Sequence, residues 1–349
     1  MEGLLVLNIK SHSCDYCVEI DNQIKTNGKI PSLGTHFVID KKVYETLPDE
    51  LKLSLFNVVL IEANEQTKSY QGIEPIIVEL LQQNLRRDST LVAIGGGITQ
   101  DITCFIAATF MRGIKWAFVP TTLLAQADSC IGSKSSINFN SYKNLLGSFT
   151  PPNKIIISQQ FLETLPDNDF TSGVGEIAKL LIIAGKNFEF GRVNRTTIFN
   201  FTLEALMIKR EFIEKDEFDK GIRQILNYGH CIGHGIESAT NFVIPHGIAI
   251  SMGMDVVNRF ALNKKLITQE RFQHLHNSIA PLYQNFNKVA IQVEKVFYSQ
   301  TKDKKNTGNK INLVLPVGNK IKKLGFENEK AVWDELHRAF SQTPIAIQS

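Results

Sequence analysis

The sequence predicts an α/β half followed by a mostly helical half. In the first 165 residues short apolar runs alternate with helical periodicity, which is typical of parallel strands joined by crossover helices. Beyond Leu165-Pro166 long segments of helical periodicity dominate. We place the boundary near Leu165–Thr171, which gives domains of residues 1–167 and 168–349. No low-complexity linker separates them, so we expect close packing and a ligand site in the cleft between them.

The individual elements follow from apolar runs and helical spacing. In the first half we predict strands at Leu4–Ile9, His36–Asp40, Asn57–Glu62, Thr90–Ile94, Trp116–Pro120 and Lys154–Ser158. The helices predicted between them include Ile73–Asn84 and Asp101–Met111. In the second half we predict one strand at Lys310–Leu315 and helices at Thr171–Ala184, Leu203–Lys215, Ile222–Thr240, Ile248–Leu262 and Lys330–Ser341.

The composition is that of an ordinary globular protein, with 43% hydrophobic and 21% charged residues in 349. The 38 basic and 35 acidic residues nearly balance, which argues against a nucleic-acid or membrane partner. We find no signal peptide and no apolar run of about 18 residues that would span a membrane. Five cysteines, including the isolated pair Cys14 and Cys17, indicate a reducing compartment. We therefore expect a cytoplasmic protein.

A glycine-rich turn follows the predicted strand Thr90–Ile94. Gly95, Gly96 and Gly97 come next, and a predicted helix begins at Asp101. Glycines let the backbone approach a ligand closely, and a helix N-terminus offers N–H groups to a phosphate. The pattern is not G-x-G-x-x-G, so it fits either a nucleotide pyrophosphate site or a plain strand-to-helix turn.

Two polar segments follow other predicted strands. Residues 64–68, Asn-Glu-Gln-Thr-Lys, come after the strand that ends at Glu62, and Thr121 and Thr122 follow Pro120. Ligands of α/β sheets bind at the carboxyl ends of strands, so both segments can complete a dinucleotide site. Ordinary turn and helix-cap chemistry is the alternative.

A polar stripe lies within the predicted helix Ile222–Thr240. Four side chains at steps of four, three and four fall on one helical face, namely Arg223, Asn227, His230 and His234. Three glycines beside them would each weaken a helix by up to about 1 kcal/mol. Such a cost is easier to understand if a ligand must come close to the backbone.

A third histidine and a carboxylate can complete a metal site with this stripe. His246 opens the next predicted helix, and Glu176 lies in a helical segment with Lys179 on the same face. Two imidazoles and one carboxylate with an open position form a common catalytic zinc arrangement. Spacing leaves open which of His230 and His234 is a ligand, and whether Glu176 reaches them.

Several cations lie among apolar or small residues rather than in charged runs. Lysines beside glycine, serine and asparagine suit a phosphate or a carboxylate, although each alone is also consistent with a solvated side chain. The set comprises Arg112, Lys134, Lys143, Lys179, Lys209 and Arg223.

Together these segments resemble the 3-dehydroquinate synthases, a family of sugar phosphate cyclases. The resemblance runs from about Gly34 to about Gly318 in matching order. It rests on GGGITQDITCFIAATFMRG, VPTTLLAQADSCIGSKSSIN, KNLLGSF, FLETLP, GEIAK, RQILNYGHCIGHGIES and IPHGIAISMGM.

The resemblance implies a Rossmann-like NAD-binding domain and a helical metal- and substrate-binding domain, usually in a homodimer. It implies a divalent metal, zinc or cobalt, held by Glu176, His230 and His246. The implied NAD contacts are Asp40, Glu65, Lys68, Gly96, Gly97, Asp101, Thr121, Thr122, Phe161 and Thr164, with Lys134 and Lys143 beside them. The implied catalytic residues are Lys134, Lys179, Lys209, Arg223, Asn227 and His234. The implied substrate contacts are Asp128, Lys143, Asn144, Arg112 from across the dimer, and Lys304 or Lys305.

The implied substrate is a phosphorylated sugar acid, 3-deoxy-arabino-heptulosonate 7-phosphate, and the product is 3-dehydroquinate of the shikimate pathway. Transient oxidation at C5 with NAD acidifies the neighbouring C–H, so phosphate leaves by β-elimination. Reduction of the ketone, ring opening and an intramolecular aldol closure complete the reaction without consuming the cofactor.

The sequence departs from the family pattern at several loop positions. Ser133 stands where glycine customarily precedes the lysine, and Tyr142 precedes Lys143 where glycine is usual. Three other interpretations therefore stay open. They are a cyclase that makes 2-deoxy-scyllo-inosose or a valiolone, a metal-dependent polyol dehydrogenase, and an inactive binding protein.

Overall fold

The structure is a computed structural model that describes residues 5–22, 24, 29–140, 142–301 and 310–347. The chain forms two compact units. Unit 1 comprises Met1–Pro166 and Lys209–Phe218, and unit 2 comprises Asp167–Ile208 and Asp219–Ser349. Residues 209–218 thus belong to unit 1 by their contacts, although the predicted domain boundary near residue 167 assigns them to the helical domain.

Unit 1 is built on a mostly parallel sheet. Its strands are β1 (Leu5–Ile9), β2 (Tyr16–Ile20), β3 (His36–Asp40), β4 (Val58–Ile61), β5 (Thr90–Gly95), β6 (Lys115–Pro120), β7 (Lys134–Phe139), β8 (Tyr142–Phe149) and β9 (Lys154–Ile157). Seven of them form one sheet in the order β1-β2-β9-β6-β5-β3-β4. Only the β1–β2 pair of this sheet is antiparallel. The α/β prediction is therefore confirmed.

Helices cover the sheet and supply its apolar core. They are α1 (Lys41–Thr46), α2 (Asp49–Ser54), α3 (Tyr70–Gln82) and α4 (Gly97–Thr109). Ser69 caps α3 by accepting a hydrogen bond from the Gly72 N–H at 3.0 Å. Ile39, Ile94 and Val119, from three neighbouring strands, pack in one buried cluster. Burial of these runs explains why the strands were visible as apolar segments.

Strands β7 and β8 were not predicted, because most of their residues are polar or small and the buried positions of β7 include Ser135 as well as Ile137. They pair antiparallel as a separate two-stranded sheet. Strand β2 was also not predicted. Cys17 lies in β2 and Cys14 is exposed before it, and both are free thiols.

Unit 2 is mainly helical. Its helices are α5 (Asp167–Ile183), α6 (Ile198–Lys215, of which residues from Lys209 belong to unit 1), α7 (His230–Ala239), α8 (His246–Asn263), α9 (Gln269–Tyr283), α10 (Val293–Thr301) and α11 (Lys330–Ser341). An antiparallel pair, β10 (Lys310–Val317) and β11 (Lys320–Glu327), accompanies them. Helix α8 is buried along most of its length and forms the centre of the unit. In the described residues no helix combines the length and apolarity needed to cross a membrane.

The prediction of one helix over Ile222–Thr240 is wrong. A short 3-10 turn covers Ile222–Asn227, and α7 begins only at His230. Between them Gly229 has a φ of +76°, and a Cβ there would lie 2.5 Å from the Met254 side chain on α8. Close packing on α8 therefore interrupts the helix, so Arg223 and Asn227 do not share a helical face with the histidines.

Candidate active site

Three helices of unit 2 bring the predicted metal ligands together. Glu176 lies in the middle of α5, His230 opens α7, and His246 opens α8. Gly175 permits this approach, since a Cβ at that position would lie 2.3 Å from the carbonyl oxygen of Gly247 on α8. The close contact of α5 and α8 therefore sets the depth of the Glu176 carboxylate.

The distances within this group suit a small divalent cation. The Glu176 Oε1 atom lies 3.4 Å from His246 Nε2 and 3.7 Å from His230 Nε2. Ligand atoms about 2.0–2.2 Å from an ion lie about 3.3–3.6 Å apart at tetrahedral angles. Two imidazoles and a carboxylate are also donors that zinc accepts. The residues present therefore fit a tetrahedral metal with one position left for a substrate or water.

His234 lies beside this group but is more exposed. The nitrogen atoms of His230, His234 and His246 lie within 4.8 Å of one another, so three histidines form an alternative donor set. The ring centroid of His234 lies 5.3 Å from that of His230. Glu176, which is fully buried, makes close contacts with His230 and His246. This favours Glu176, His230 and His246 as ligands and leaves His234 at the exposed side of the site.

The outer nitrogen of each proposed ligand imidazole is held by an acceptor. His230 Nδ1 lies 3.2 Å from the Tyr228 carbonyl oxygen, and His246 Nδ1 lies 3.0 Å from Glu237 Oε2. Because a carbonyl oxygen can only accept, Nδ1 of His230 carries the hydrogen and its Nε2 presents a lone pair. Both rings are thus oriented for coordination through Nε2.

Burial and the nearby charges shift the pKa values of the two imidazoles in opposite directions. Burial, followed by the ammonium of Lys179, lowers the pKa of His230 well below its usual value. Burial also lowers the pKa of His246, but Glu237 and Glu176 outweigh it and raise that pKa to about 10. In the metal-free protein His230 is therefore neutral, whereas His246 is a cation between two carboxylates.

Glu237 is a further residue of the candidate site, through its contact with His246, that the sequence interpretation missed. It lies on α7, seven residues after His230 and three after His234, so it continues their helical face. That spacing was a usable signal. Its contact to His246 depends on the turn between α7 and α8, which spacing does not reveal.

Other predicted catalytic side chains of unit 2 lie on α5 and the 3-10 turn. Lys179 forms a buried ion pair with Glu176 Oε2, one helical turn away. Arg223 is buried, and the Asn227 side chain donates to the Gln224 carbonyl oxygen at 3.0 Å. The predicted residues Lys304 and Lys305 lie outside the described part of the chain.

The glycine turn of unit 1 lies at the carboxyl ends of neighbouring strands. Strand β5 ends at Gly95 beside Pro120 of β6, and α4 begins at Gly97. A Cβ at Gly96 would lie 2.9 Å from the Thr122 side chain, so the turn admits no larger residue without movement. No side chain of the described residues caps the N-terminus of α4. Free N–H groups at such an end suit a phosphate.

Polar groups near this turn have different environments. The buried hydroxyl of Thr121 has no hydrogen-bond partner among the described residues, which suits contact with a ligand. Thr122 accepts from the Ala125 N–H at 3.2 Å, and Asp40 caps α1 through the Lys42 N–H at 3.0 Å. These two therefore also have the helix-cap role that was the alternative interpretation. Burial raises the pKa of Asp40.

A polar network joins further predicted cofactor residues. Glu65 accepts from Lys143 Nζ at 2.8 Å and from Asn138 Nδ2 at 2.7 Å. Lys68 Nζ lies 2.5 Å from Asp101 Oδ2. Burial raises the pKa of Glu65, but Lys143 and Asn138 outweigh it, so its net pKa is lowered. Asn138, which also accepts from the Asn144 N–H at 3.0 Å, was missed by the sequence interpretation.

The remaining predicted residues of unit 1 are more dispersed. Lys209 Nζ donates to the Asp128 carbonyl oxygen at 2.6 Å and also pairs with its carboxylate. Lys134 and Arg112 are exposed, and Thr164 is exposed in a turn. Phe161 is 4% exposed and belongs to the apolar core of the sheet, so its side chain contributes packing.

Comparisons with solved structures define the fold class. A 2-deoxy-scyllo-inosose synthase, complexed with carbaglucose-6-phosphate, NAD+ and Co2+, superposes with a TM-score of 0.82 at 22% identity, covering 96% of this chain and 99% of that one. A 2-epi-5-epi-valiolone synthase from Streptomyces hygroscopicus with NAD+ and Zn2+ bound gives 0.83 at 19%, covering 95% and 99%. An iron-containing alcohol dehydrogenase from Thermotoga maritima gives 0.59 at 14%, covering 92% and 96%. The fold is that of the sugar phosphate cyclases.

Sequence comparisons narrow the class to one family. The N-terminal and C-terminal sequence models of 3-dehydroquinate synthase match residues 58–172 and 173–306. The 3-dehydroquinate synthase of Alkaliphilus oremlandii is 35% identical over 83% of this chain and 82% of its own. That of Pelagibacter ubique is 34% identical over 95% of this chain and 97% of its own. The chain belongs to the 3-dehydroquinate synthase family.

Proposed function

We propose that this chain converts 3-deoxy-arabino-heptulosonate 7-phosphate to 3-dehydroquinate and phosphate. It is a lyase that eliminates phosphate during cyclisation. The observation that carries the proposal is the convergence of Glu176, His230 and His246, with both outer imidazole nitrogens held by acceptors. A chain of this family that brings these three side chains together can bind the metal that the family reaction uses.

The cofactors are NAD and a divalent metal, zinc or cobalt. When bound, they supply reversible oxidation of the substrate at C5 and polarisation of the oxygen there. Glu176, His230 and His246 would hold the metal. The residues that would hold NAD are Asp40, Glu65, Lys68, Gly96, Gly97, Asp101, Thr121, Thr122, Phe161, Thr164, Lys134 and Lys143.

The chain's own cations bind and orient the substrate. Ammonium and guanidinium groups neutralise the phosphate and the carboxylate. Holding a flexible sugar acid in one orientation can lower the activation barrier by about 7 kcal/mol or more in favourable cases. The cations proposed for this task are Arg112, Lys134, Lys143, Lys209 and Arg223, with Lys304 or Lys305. Asp128, Asn144 and Asn227 are proposed to contact the substrate as hydrogen-bonding groups.

Proton movement is assigned to side chains next to the proposed metal position. His234 is exposed and its ring lies 5.6 Å from that of His246, so it can exchange a proton with a substrate there. Lys179 neutralises the buried Glu176 carboxylate before a cation binds. We therefore assign His234 to proton transfer and Lys179 to control of charge beside the substrate.

We also propose a cytoplasmic homodimer with two functional domains, residues 1–167 for NAD and 168–349 for metal and substrate. Arg112 is assigned to the phosphate of the partner's substrate. It is exposed and has a φ of +70°, so its side chain projects from a tight turn after α4.

Two related activities are the alternatives. Another sugar phosphate cyclase would release phosphate from a sugar phosphate without a carboxylate. A polyol dehydrogenase would accumulate NADH in proportion to product and would not release phosphate. Arg223 is buried in the 3-10 turn that contacts α5, and a guanidinium there favours an anionic group on the substrate.

The deciding experiment measures phosphate release from the heptulosonate phosphate by the zinc-loaded protein with substoichiometric NAD. We expect many phosphates per NAD, no net NADH, and 3-dehydroquinate by mass spectrometry. His230→Ala should abolish turnover and weaken zinc binding, because one ligand is lost. His274→Ala, which removes an exposed imidazole, is the matched control and should behave as the wild type.

Release of phosphate from a hexose 6-phosphate or a heptulose 7-phosphate without a carboxylate, but not from the sugar acid, would assign the chain to another cyclase. Stoichiometric NADH would assign it to the dehydrogenases. Normal zinc binding and full turnover by His230→Ala would contradict the proposed ligand set.

A further inference from the structure

The residues before Lys134 adopt an unusual backbone conformation. Gly132 and Ser133 have φ angles of +108° and +62°, both in the left-handed region. Glycine adopts this region freely, but a side chain such as that of serine disfavours it. Ser133 occupies the position where the resembling family customarily has glycine. Something in this chain must therefore compensate for the serine.

Three hydrogen bonds hold the loop in this conformation. The Gly132 N–H donates to the Tyr16 hydroxyl at 3.0 Å, and the Thr150 N–H donates to the Ser133 carbonyl oxygen at 2.7 Å. The Ser133 hydroxyl donates to Glu217 Oε1 at 2.9 Å. Only the last of these bonds requires a serine side chain, so it is the contact that glycine at this position could not make.

Glu217 is in turn held by the segment between β1 and β2. It accepts from the Ser11 hydroxyl at 2.7 Å, from the His12 N–H at 2.7 Å, and it lies 3.2 Å from His12 Nδ1. Its side chain is 6% exposed. Burial raises the pKa of Glu217, but the bonds from His12, Ser11 and Ser133 outweigh it, so the net pKa is lowered. A buried, ionised carboxylate is a strong and fixed acceptor.

Lys134 follows this anchored residue directly and begins β7. Its side chain is exposed, whereas Ser133 is buried. An exposed lysine has many rotamers, so the position of its ammonium depends on how firmly its backbone is held. The anchored serine holds the backbone just before Lys134, and the pairing of Lys134 with Phe149 in the β7–β8 ladder holds it beyond that point.

We propose that Ser133 and Glu217 form a positioning pair that fixes the Lys134 ammonium for the substrate. This inference rests on the proposed function, because Lys134 has its role only there. The pair acts through Lys134 and touches no reacting atom. In this chain the side-chain hydrogen bond holds in place a left-handed residue at a position where the family pattern customarily has glycine.

The test measures kcat and KM for phosphate release, together with the Kd of NAD, for Ser133→Ala, Glu217→Gln and Lys134→Ala. We expect Ser133→Ala to lower kcat/KM about tenfold and to lower the Tm, because a buried hydrogen bond is lost, while the Kd of NAD changes little. Glu217→Gln keeps an acceptor oxygen and should lose less. Ser148→Ala removes a hydroxyl from the same hairpin without contact to Glu217, so it should match the wild type.

Double variants separate positioning from general stabilisation. In the Lys134→Ala background, Ser133→Ala should cause no further loss, because the residue it positions is gone. An equal loss with and without Lys134 would overturn the proposal, as would full activity of Ser133→Ala. If Ser133→Ala does not fold, additive effects of Glu217→Gln and Lys134→Ala give the same negative result.

Failure of this inference is distinguishable from failure of the proposed function. If the wild type releases no phosphate, or if Lys134→Ala is fully active, the function or the role of Lys134 is wrong. If the wild type is active and Lys134→Ala is impaired, but Ser133→Ala is not, only the positioning pair is wrong.

Discussion

At the scale of single residues, the orientation of each proposed ligand imidazole depends on the group that its Nδ1 atom contacts. His246 Nδ1 contacts the Glu237 carboxylate, whereas His230 Nδ1 contacts the backbone carbonyl oxygen of Tyr228. A carboxylate fixes the ring and also increases its basicity, whereas a carbonyl mainly fixes it. The two imidazoles therefore differ in basicity. Only the contact of His246 can be removed by changing a side chain, because His230 contacts the backbone.

Glu237→Gln should weaken metal binding about 10–100-fold, because the amide can still accept a hydrogen bond but no longer carries charge. Chelator competition with zinc measures this on the purified protein. Glu270→Gln, at an exposed position of α9, is the control and should bind zinc normally. Unchanged zinc affinity of Glu237→Gln would show that Glu237 does not support His246.

At the scale of elements, the break before α7 determines where the ligand helix begins. Gly229 adopts a left-handed conformation and packs against α8, and the buried Tyr228 hydroxyl donates to Asn258 at 2.5 Å on the same helix. In a continuous helix, Asn227 and His230 would lie on the same helical face. Instead His230 is the first residue of a new helix, whose start is set by α8.

Gly229→Ala should destabilise the protein by roughly 2–5 kcal/mol, because the new Cβ is strained and collides with α8. Urea unfolding measures the change in the free energy of unfolding. Gly191→Ala is the matched control, since a Cβ there meets no atom within 4 Å. If both variants were equally stable, the packing at Gly229 would not be what interrupts the helix.

At the scale of the whole molecule, neither compact unit contains every residue that the proposed reaction needs. The glycine turn and the Glu65 network belong to unit 1, and the ligand group belongs to unit 2. The chain returns to unit 1 at Lys209–Phe218, and this segment carries both Lys209 and Glu217. An isolated fragment cut at residue 167 would therefore lack two groups that contact unit 1.

If the protein is a homodimer with Arg112 acting on the partner's substrate, two strongly impaired variants should complement each other. Arg112→Ala mixed with Lys134→Ala, under conditions that exchange subunits, should recover about a quarter of wild-type activity, because half of the dimers are mixed and each has one intact site. Phosphate release measures the recovery. The absence of recovery in verified mixed dimers would place Arg112 in its own subunit's site.

The sequence alone determined the order of the main strands of the α/β half and the family, and it proposed the residues of the candidate site. Apolar runs such as Thr90–Ile94 are visible because buried parallel strands exclude polar residues. His230, His234 and His246 stood out because histidines beside glycines are unusual on a solvated helix. Motif order then identified the family.

Tertiary structure decided the contacts that spacing does not encode. The approach of Glu176 to the imidazoles depends on α5 packing against α8, and the start of α7 depends on Gly229 meeting Met254. Glu237 and Glu217 join residues that are distant along the chain or separated by turns. Local periodicity reports which face of an element is apolar, whereas these contacts arise from how separate elements pack.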